Sequence, residues 1–176
     1  MVEGAEDVTN RIRAVALRLF TQNGYGNTNI EQIAAEAGVG VASLYRRWPD
    51  KAALANDLLS SALDDIEELY RPVEGSRPKE RFLALWRRVH TYVLARPESF
   101  LFLEDGAKTT FMSRENADRK LALLGDAEEL LAAVGVKASN DVANAMVVGT
   151  LVALVRAGVE PDLDDLGERL WQALRT

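Results

Sequence analysis

The sequence contains no cysteine and a single histidine, His90. Disulfide scaffolds, cysteine nucleophiles and zinc sites built on cysteine or several histidines are thereby excluded, and any metal would have to be held by carboxylates alone. Neither a metal, a cofactor nor a catalytic set is expected, and the chain reads as no enzyme. Long hydrophobic runs are also missing: the most apolar stretch, Ala145 to Val155, falls short of the roughly 20 residues that cross a bilayer. The first residues, Met1 to Asp7, are acidic where a secretory signal needs a basic flank and an apolar core. The expectation is a cytoplasmic protein without a membrane segment. What is present is ordinary: 176 residues, 48% hydrophobic and 27% charged. That composition supports a packed core and argues against disorder or fibrous repeats.

The formal charge of −6 argues against nucleic acid only until it is divided along the chain. Residues 8–51 hold six basic residues (Arg11, Arg13, Arg18, Arg46, Arg47, Lys51) against three acidic ones (Glu31, Glu36, Asp50). Residues 52–176 are net −6, and the first seven, read as a frayed tail, contribute −3. A mildly basic head precedes an acidic body.

Apolar residues recur at helical spacing nearly everywhere, so the fold class is all-α with nine helices. The first carries Ile12, Val15, Ala16, Leu19 and Phe20 on one stripe and ends at Asn23-Gly24. Thr28-Asn-Ile-Glu31 reads as a capping box opening a second helix that Gly38 stops. A third runs from Val41 to Arg47, before Pro49, and Asp50 caps a fourth from Lys51 to about Tyr70. Pro72 to Pro78 is a linker. A fifth helix with Phe82, Trp86 and Val93 breaks at Pro97, which starts a sixth through Asp105. Gly106 to Met112 reads as a loop. Ser113 caps the seventh helix, ended by Gly135; Ser139 caps the eighth, Asn140 to Ala157; Asp162 begins the ninth, with Leu163, Leu166, Leu170 and Leu174.

Two short helices joined by Gly38-Val39-Gly40, the second halted by a proline, form a helix-turn-helix pattern. The second would offer Val41, Ala42, Ser43, Tyr45, Arg46 and Arg47 to a groove, with Leu44 pointing inward and Trp48 packing. Over residues 27–54 (Asn27-Thr-Asn-Ile-Glu-Gln-Ile-Ala-Ala-Glu-Ala-Gly-Val-Gly-Val-Ala-Ser-Leu-Tyr-Arg-Arg-Trp-Pro-Asp-Lys-Ala-Ala-Leu54) the chain resembles the TetR family of bacterial transcriptional regulators. The resemblance is tight over about the first 55 residues and beyond them is one of helix number. Two departures are Gly40, where serine is common, and Ala42, where glycine is common.

The resemblance implies phosphate contacts from Thr28, Tyr45 and Lys51 and base-edge contacts from Asn29, Val41, Ala42, Ser43 and Arg46. Arg46 or Arg47 suits guanine, while Val41 and Ala42 suit thymine methyls. Lys51 opposes the dipole of its own helix, which suggests a task outside the fold. Taken one at a time, these residues read instead as a snorkelling tyrosine and solvated cations; their joint spacing favours DNA. The resemblance further implies a helix-turn-helix head, residues 1–50, on a ligand-binding and dimerisation domain, residues 51–176. The implied partners are operator DNA of palindromic sequence, a second copy of the chain and a small-molecule effector that releases a repressor.

An effector pocket would draw on Trp86, His90, Phe100, Phe102, Glu104, Phe111 and Met112, although Phe82, Trp86 and Phe102 read first as core and His90 as a satisfied interior or surface group. The eighth helix is apolar nearly all round, which requires cover on every side. A dimer interface through Val148, Gly149, Val152, Leu163, Leu166, Leu170 and Leu174 would supply it. The competing readings are a helical interaction module that kept the fold without DNA reading, and a bundle enzyme using Glu104 and Asp105.

Overall fold

The computed structural model describes residues 5–75, 77–106 and 111–175. Those residues form nine α-helices and no strand: α1 (Ala5–Asn23), α2 (Ile30–Glu36), α3 (Val41–Tyr45), α4 (Lys51–Leu69), α5 (Pro78–Ala95), α6 (Pro97–Gly106), α7 (Arg114–Ala133), α8 (Asn140–Ala157) and α9 (Leu163–Leu174). The stops have the expected cause. Gly24, Gly38, Gly135 and Gly158 all take positive φ, the left-handed conformation that ends a helix and that a side chain resists. The starts are partly as expected. Asp50 Oδ1 accepts from Ala53 N at 2.7 Å, Ser113 Oγ from Asn116 N at 3.2 Å, and Asp162 Oδ1 from Asp164 N and Asp165 N.

Three expectations are corrected. The capping box of α2 is built by Asn29 and Gln32 rather than Thr28 and Glu31. Ser139 precedes α8 but its side chain makes no capping hydrogen bond. Residues 5–7 belong to α1 and not to a frayed tail; residues 1–4, residues 107–110 of the expected loop and Ser76 of the linker lie outside the described residues.

The chain divides into two compact units, Met1–Asp64 with Glu98–Asp118, and Asp65–Pro97 with Arg119–Thr176. In the first, α1 and α2 bury Ile12, Ala16, Phe20, Ile33 and Ala37 with Leu44 of α3 and Trp48. Phe102 stacks on Phe20 at 5.6 Å and Phe111 on Tyr25 at 4.0 Å between ring centroids. Asn56 of α4 ties the start of α7 down: its Nδ2 donates to Phe111 O at 2.9 Å, and its Oδ1 accepts from Ser113 N at 2.7 Å. The buried Asn116 donates back to the Asn56 carbonyl at 2.9 Å.

The second unit packs α5 against α9 and α8. Phe82 meets Trp171 at 5.4 Å, and Trp86 Nε1 donates to Leu163 O at 2.9 Å. Leu170 and Leu174 are buried in this core, so those two positions of the expected interface are occupied by their own unit. Leu163, Leu166, Val148 and Val152 are half-buried, while Val142, Ala145, Gly149 and Ala153 leave an exposed stripe along α8. Within one chain, therefore, α8 is not covered on every side.

Tyr92 carries a testable penalty. Its hydroxyl is buried with no partner among the described residues, and burial, then the Asp65 carboxylate, pushes the phenol up to about 12 against an opposing pull from Arg96. Because the folded value lies above the unfolded one, the neutral phenol's contribution is intact below pH ~10 and is lost as pH rises toward 12. Denaturant unfolding is expected to lose about 2–3 kcal/mol across that window relative to Tyr92→Phe, which should itself be about 1 kcal/mol more stable at pH 7 by removing an unpaired hydroxyl.

Candidate nucleic-acid interface

The N-terminal head holds α3 by its buried Leu44, and the opposite side of this short helix faces outward with Ala42, Tyr45 (48% exposed) and Arg46. Val41 and Ser43 are half-buried at its edges. Gly40 is the N-cap of α3 and offers no side-chain hydrogen bond, the consequence expected of a glycine at that position.

The basic head is not uniformly available to an anion. Arg11 Nε donates to Ala37 O at the end of α2 at 2.7 Å, Arg13 is bidentate to Asp57 at 2.7 and 2.6 Å, and Arg18 pairs with Glu36. Asp57 also accepts from Trp48 Nε1 at 3.0 Å and raises the Arg13 guanidinium above its ordinary value by hydrogen bond and charge. The cations beside α3 are Arg46, Arg47 and Lys51. Arg46 is exposed, and its Nη2 donates to Ser43 Oγ at 2.9 Å. Arg47 is clamped instead, Nε to Thr9 Oγ1 at 2.7 Å and Nη1 to Ser43 O at 3.2 Å.

Two expectations change at this level. Thr28 is 1% exposed, and its hydroxyl donates toward Leu19 O at 3.2 Å and Gly24 O at 3.0 Å. The side chain therefore shapes the turn and has no hydroxyl to offer a phosphate. Lys51 does have a task inside the fold: Nζ donates to Tyr25 O at 2.7 Å and Thr28 O at 2.8 Å and lies 4.2 Å from the Tyr25 ring centroid. An ammonium has three N–H groups, and these two carbonyls take two of them. Asn29 Oδ1 is occupied as the cap of α2 at 2.8 Å from Gln32 N, leaving Nδ2 to donate. Sequence reasoning missed Asp57, Tyr25 and Thr9, which hold these side chains in place; no periodic signal marks them.

The seven positions expected around an effector part company. Phe100, Phe102 and Phe111 are buried packing residues of the first unit, where Glu104 and Met112 are half-buried. Trp86 and His90 belong to the second unit. There Trp86 lines an apolar cavity of about 80 Å³, far below the 300 Å³ or more usual for a drug-sized ligand. His90 is buried, yet its Nδ1 has no partner among the described residues, so it is not the satisfied histidine expected.

Residues 12–58 match the family model described as bacterial regulatory proteins, tetR family. The regulator HbdR of Aromatoleum sp. (strain CIB) is 37% identical over 84 residues, 46% of this chain and 37% of the relative. The matched stretches span only about a third of the curated relatives' length, 34% in the mycobacterial regulator Mb1581. Among solved structures, Mycobacterium smegmatis AmtR is 26% identical with a TM-score of 0.73, covering 99% of this chain and 87% of that one. The TetR-family regulator PfmR of Thermus thermophilus has the same fold at 23% identity, a TM-score of 0.73 and 94% and 97% coverage. A buried Leu44, a glycine turn and an outward-facing α3 thus sit inside the segment, residues 12–58, that matches the model of the tetR family of bacterial regulatory proteins.

Proposed function

We propose that this protein is a cytoplasmic repressor that binds a palindromic operator as a homodimer and is released by a small-molecule effector, with residues 1–50 as reader and residues 51–176 for ligand and dimer. The observation that carries the reading is the outward face of α3, where Ala42, Tyr45 and Arg46 stand clear of the core beside the half-buried Lys51. Ala42 and Val41 suit thymine methyls and Arg46 suits guanine O6 and N7, while Tyr45 and the third N–H of Lys51 suit phosphates. Arg47 would have to leave Thr9 to reach a base, so its role is to brace α3. Dimerisation is supported by the exposed stripe of α8, Val142 (48% exposed), Ala145, Gly149 and Ala153; its small residues suit close helix approach, and half-buried Val152 flanks them. None of the helices among the described residues is long and apolar enough to cross a membrane.

The test is operator selection from random duplex DNA near 150 mM salt. A two-fold consensus is expected. Arg46→Ala should lose about 1–3 kcal/mol and relax particular bases, whereas Lys51→Ala should weaken all sequences alike and lower the salt slope by about one. Thermal unfolding of Lys51→Ala controls for the two carbonyls it also leaves without a donor. Salt-dependent binding with no consensus would overturn the reading of the head, and sedimentation as a 19.4 kDa species would overturn the dimer.

A further inference from the structure

Inside the second unit, the end of α5, the last turns of α8 and the turn after Gly158 enclose a cleft of about 220 Å³. Its walls are apolar, with Val93, Leu151, Leu154 and Val155, and two groups break that pattern, His90 and Glu160. Leu94 and Val159 also line it while remaining 48% and 52% exposed, which keeps the cleft open to solvent. The imidazole of His90 is only 3% exposed and its Nδ1 has no hydrogen-bond partner among the described residues. Native proteins leave few buried polar atoms unpaired, and the residue that carries this one lines the cleft.

The charges around the cleft favour one class of ligand. Burial holds the His90 imidazole below its ordinary value, against an opposing pull from Glu160, so near neutral pH it is an uncharged acceptor and donor. The arginines of α5 that flank it in sequence are committed elsewhere: Arg87 to Asp164, Arg88 to the carbonyls of Leu69 and Arg71, and Arg96 to Asp65. Among the described residues that line the cleft, Glu160 is the one charged side chain, so an anion would meet its carboxylate. A purely apolar molecule would fill the walls but leave the imidazole unpaired.

We propose that this cleft binds a small organic cation, a single-ring or short branched apolar body carrying a protonated amine, whose N–H groups donate to His90 and pair with Glu160. The inference rests on the reading of residues 51–176 as an effector domain and names the chemical class of effector.

Calorimetric titration of the full chain without DNA at pH 7.5 tests it with three probes of one shape: 2-phenylethylamine, 2-phenylethanol and phenylacetate. The amine is expected to bind most tightly and phenylacetate least. Glu160 is exposed, so Glu160→Gln leaves the fold intact; it should weaken the amine about fivefold and the alcohol less than about twofold. His90→Phe should weaken both. Equal affinity for amine and phenylacetate, amine binding unmoved by Glu160→Gln, or no saturation of any probe below about 10 mM would overturn the proposal. Because the heat is read on DNA-free protein, failure to select an operator leaves the amine result standing, and failure of the amine leaves the operator result standing.

Discussion

Asp57→Ala is expected to destabilise the N-terminal head by about 3 kcal/mol. One carboxylate joins three elements: it takes both N–H groups offered by Arg13 of α1 and the indole N–H of Trp48, which follows α3. Removing it leaves a guanidinium and a buried indole nitrogen without an acceptor. The Arg13 and Asp57 side chains are 38% and 28% exposed, so water screens the pair and its share is put at about 2 kcal/mol, below the value for a fully buried pair. The Trp48 donor, on a side chain that is nearly fully buried, adds about 1 kcal/mol. Chemical denaturation followed by Trp48 fluorescence reads the loss. Asp57→Asn, which keeps an acceptor but not the charge, should recover a part of it; a variant as stable as the parent would show that the junction contributes nothing.

Gly167→Ala is expected to destabilise the second unit by about 2 kcal/mol, although alanine favours a helix interior by about 1 kcal/mol over glycine. A Cβ at Gly167 would lie 2.6 Å from Cδ1 and 3.0 Å from Nε1 of Trp86, and 3.1 Å from Leu83 Cδ2. The indole cannot swing away without loss, since its Nε1 donates to Leu163 O at 2.9 Å. Overpacking of this kind outweighs the backbone gain because α5 and α9 must separate to relieve it. Trp86→Leu should rescue Gly167→Ala, the double variant losing less than the sum of the two single losses. Additive losses would mean that the close approach of α9 to Trp86 does not carry the effect.

Both predictions turn on contacts that no local pattern announces. Arg13 and Asp57 are 44 residues apart, and Lys51 reaches Tyr25 across 26. Lys51 is unfavourable in the first turn of its own helix, and it finds its partners in the turn between α1 and α2. Thr28 and Asn29 are adjacent candidates for one cap, and local chemistry allows either. Burial decided: the Thr28 hydroxyl turned inward to Leu19 O and Gly24 O, leaving Asn29 to cap α2. Trp86 and Phe111 read alike as aromatic residues, yet one belongs to each unit.

What the sequence by itself determined is whatever depends on near neighbours along the chain. The helical period of the apolar residues, the stops at Gly24, Gly38, Gly135 and Gly158, the break at Pro97 and the spacing of the two short helices all follow from backbone dihedrals and i to i+4 geometry. Those suffice for an all-helical chain with a helix-turn-helix head. Only the tertiary structure decided which polar side chains remain available: it tied Arg11, Arg13, Arg18 and Arg47 into the head, left Arg46 exposed, buried Leu170 and Leu174, and left the Nδ1 of the buried His90 without a partner among the described residues. The reason is physical. A polar group takes the first partner that desolvation leaves within reach, and that partner is chosen by packing across the fold, where spacing along the chain carries no information.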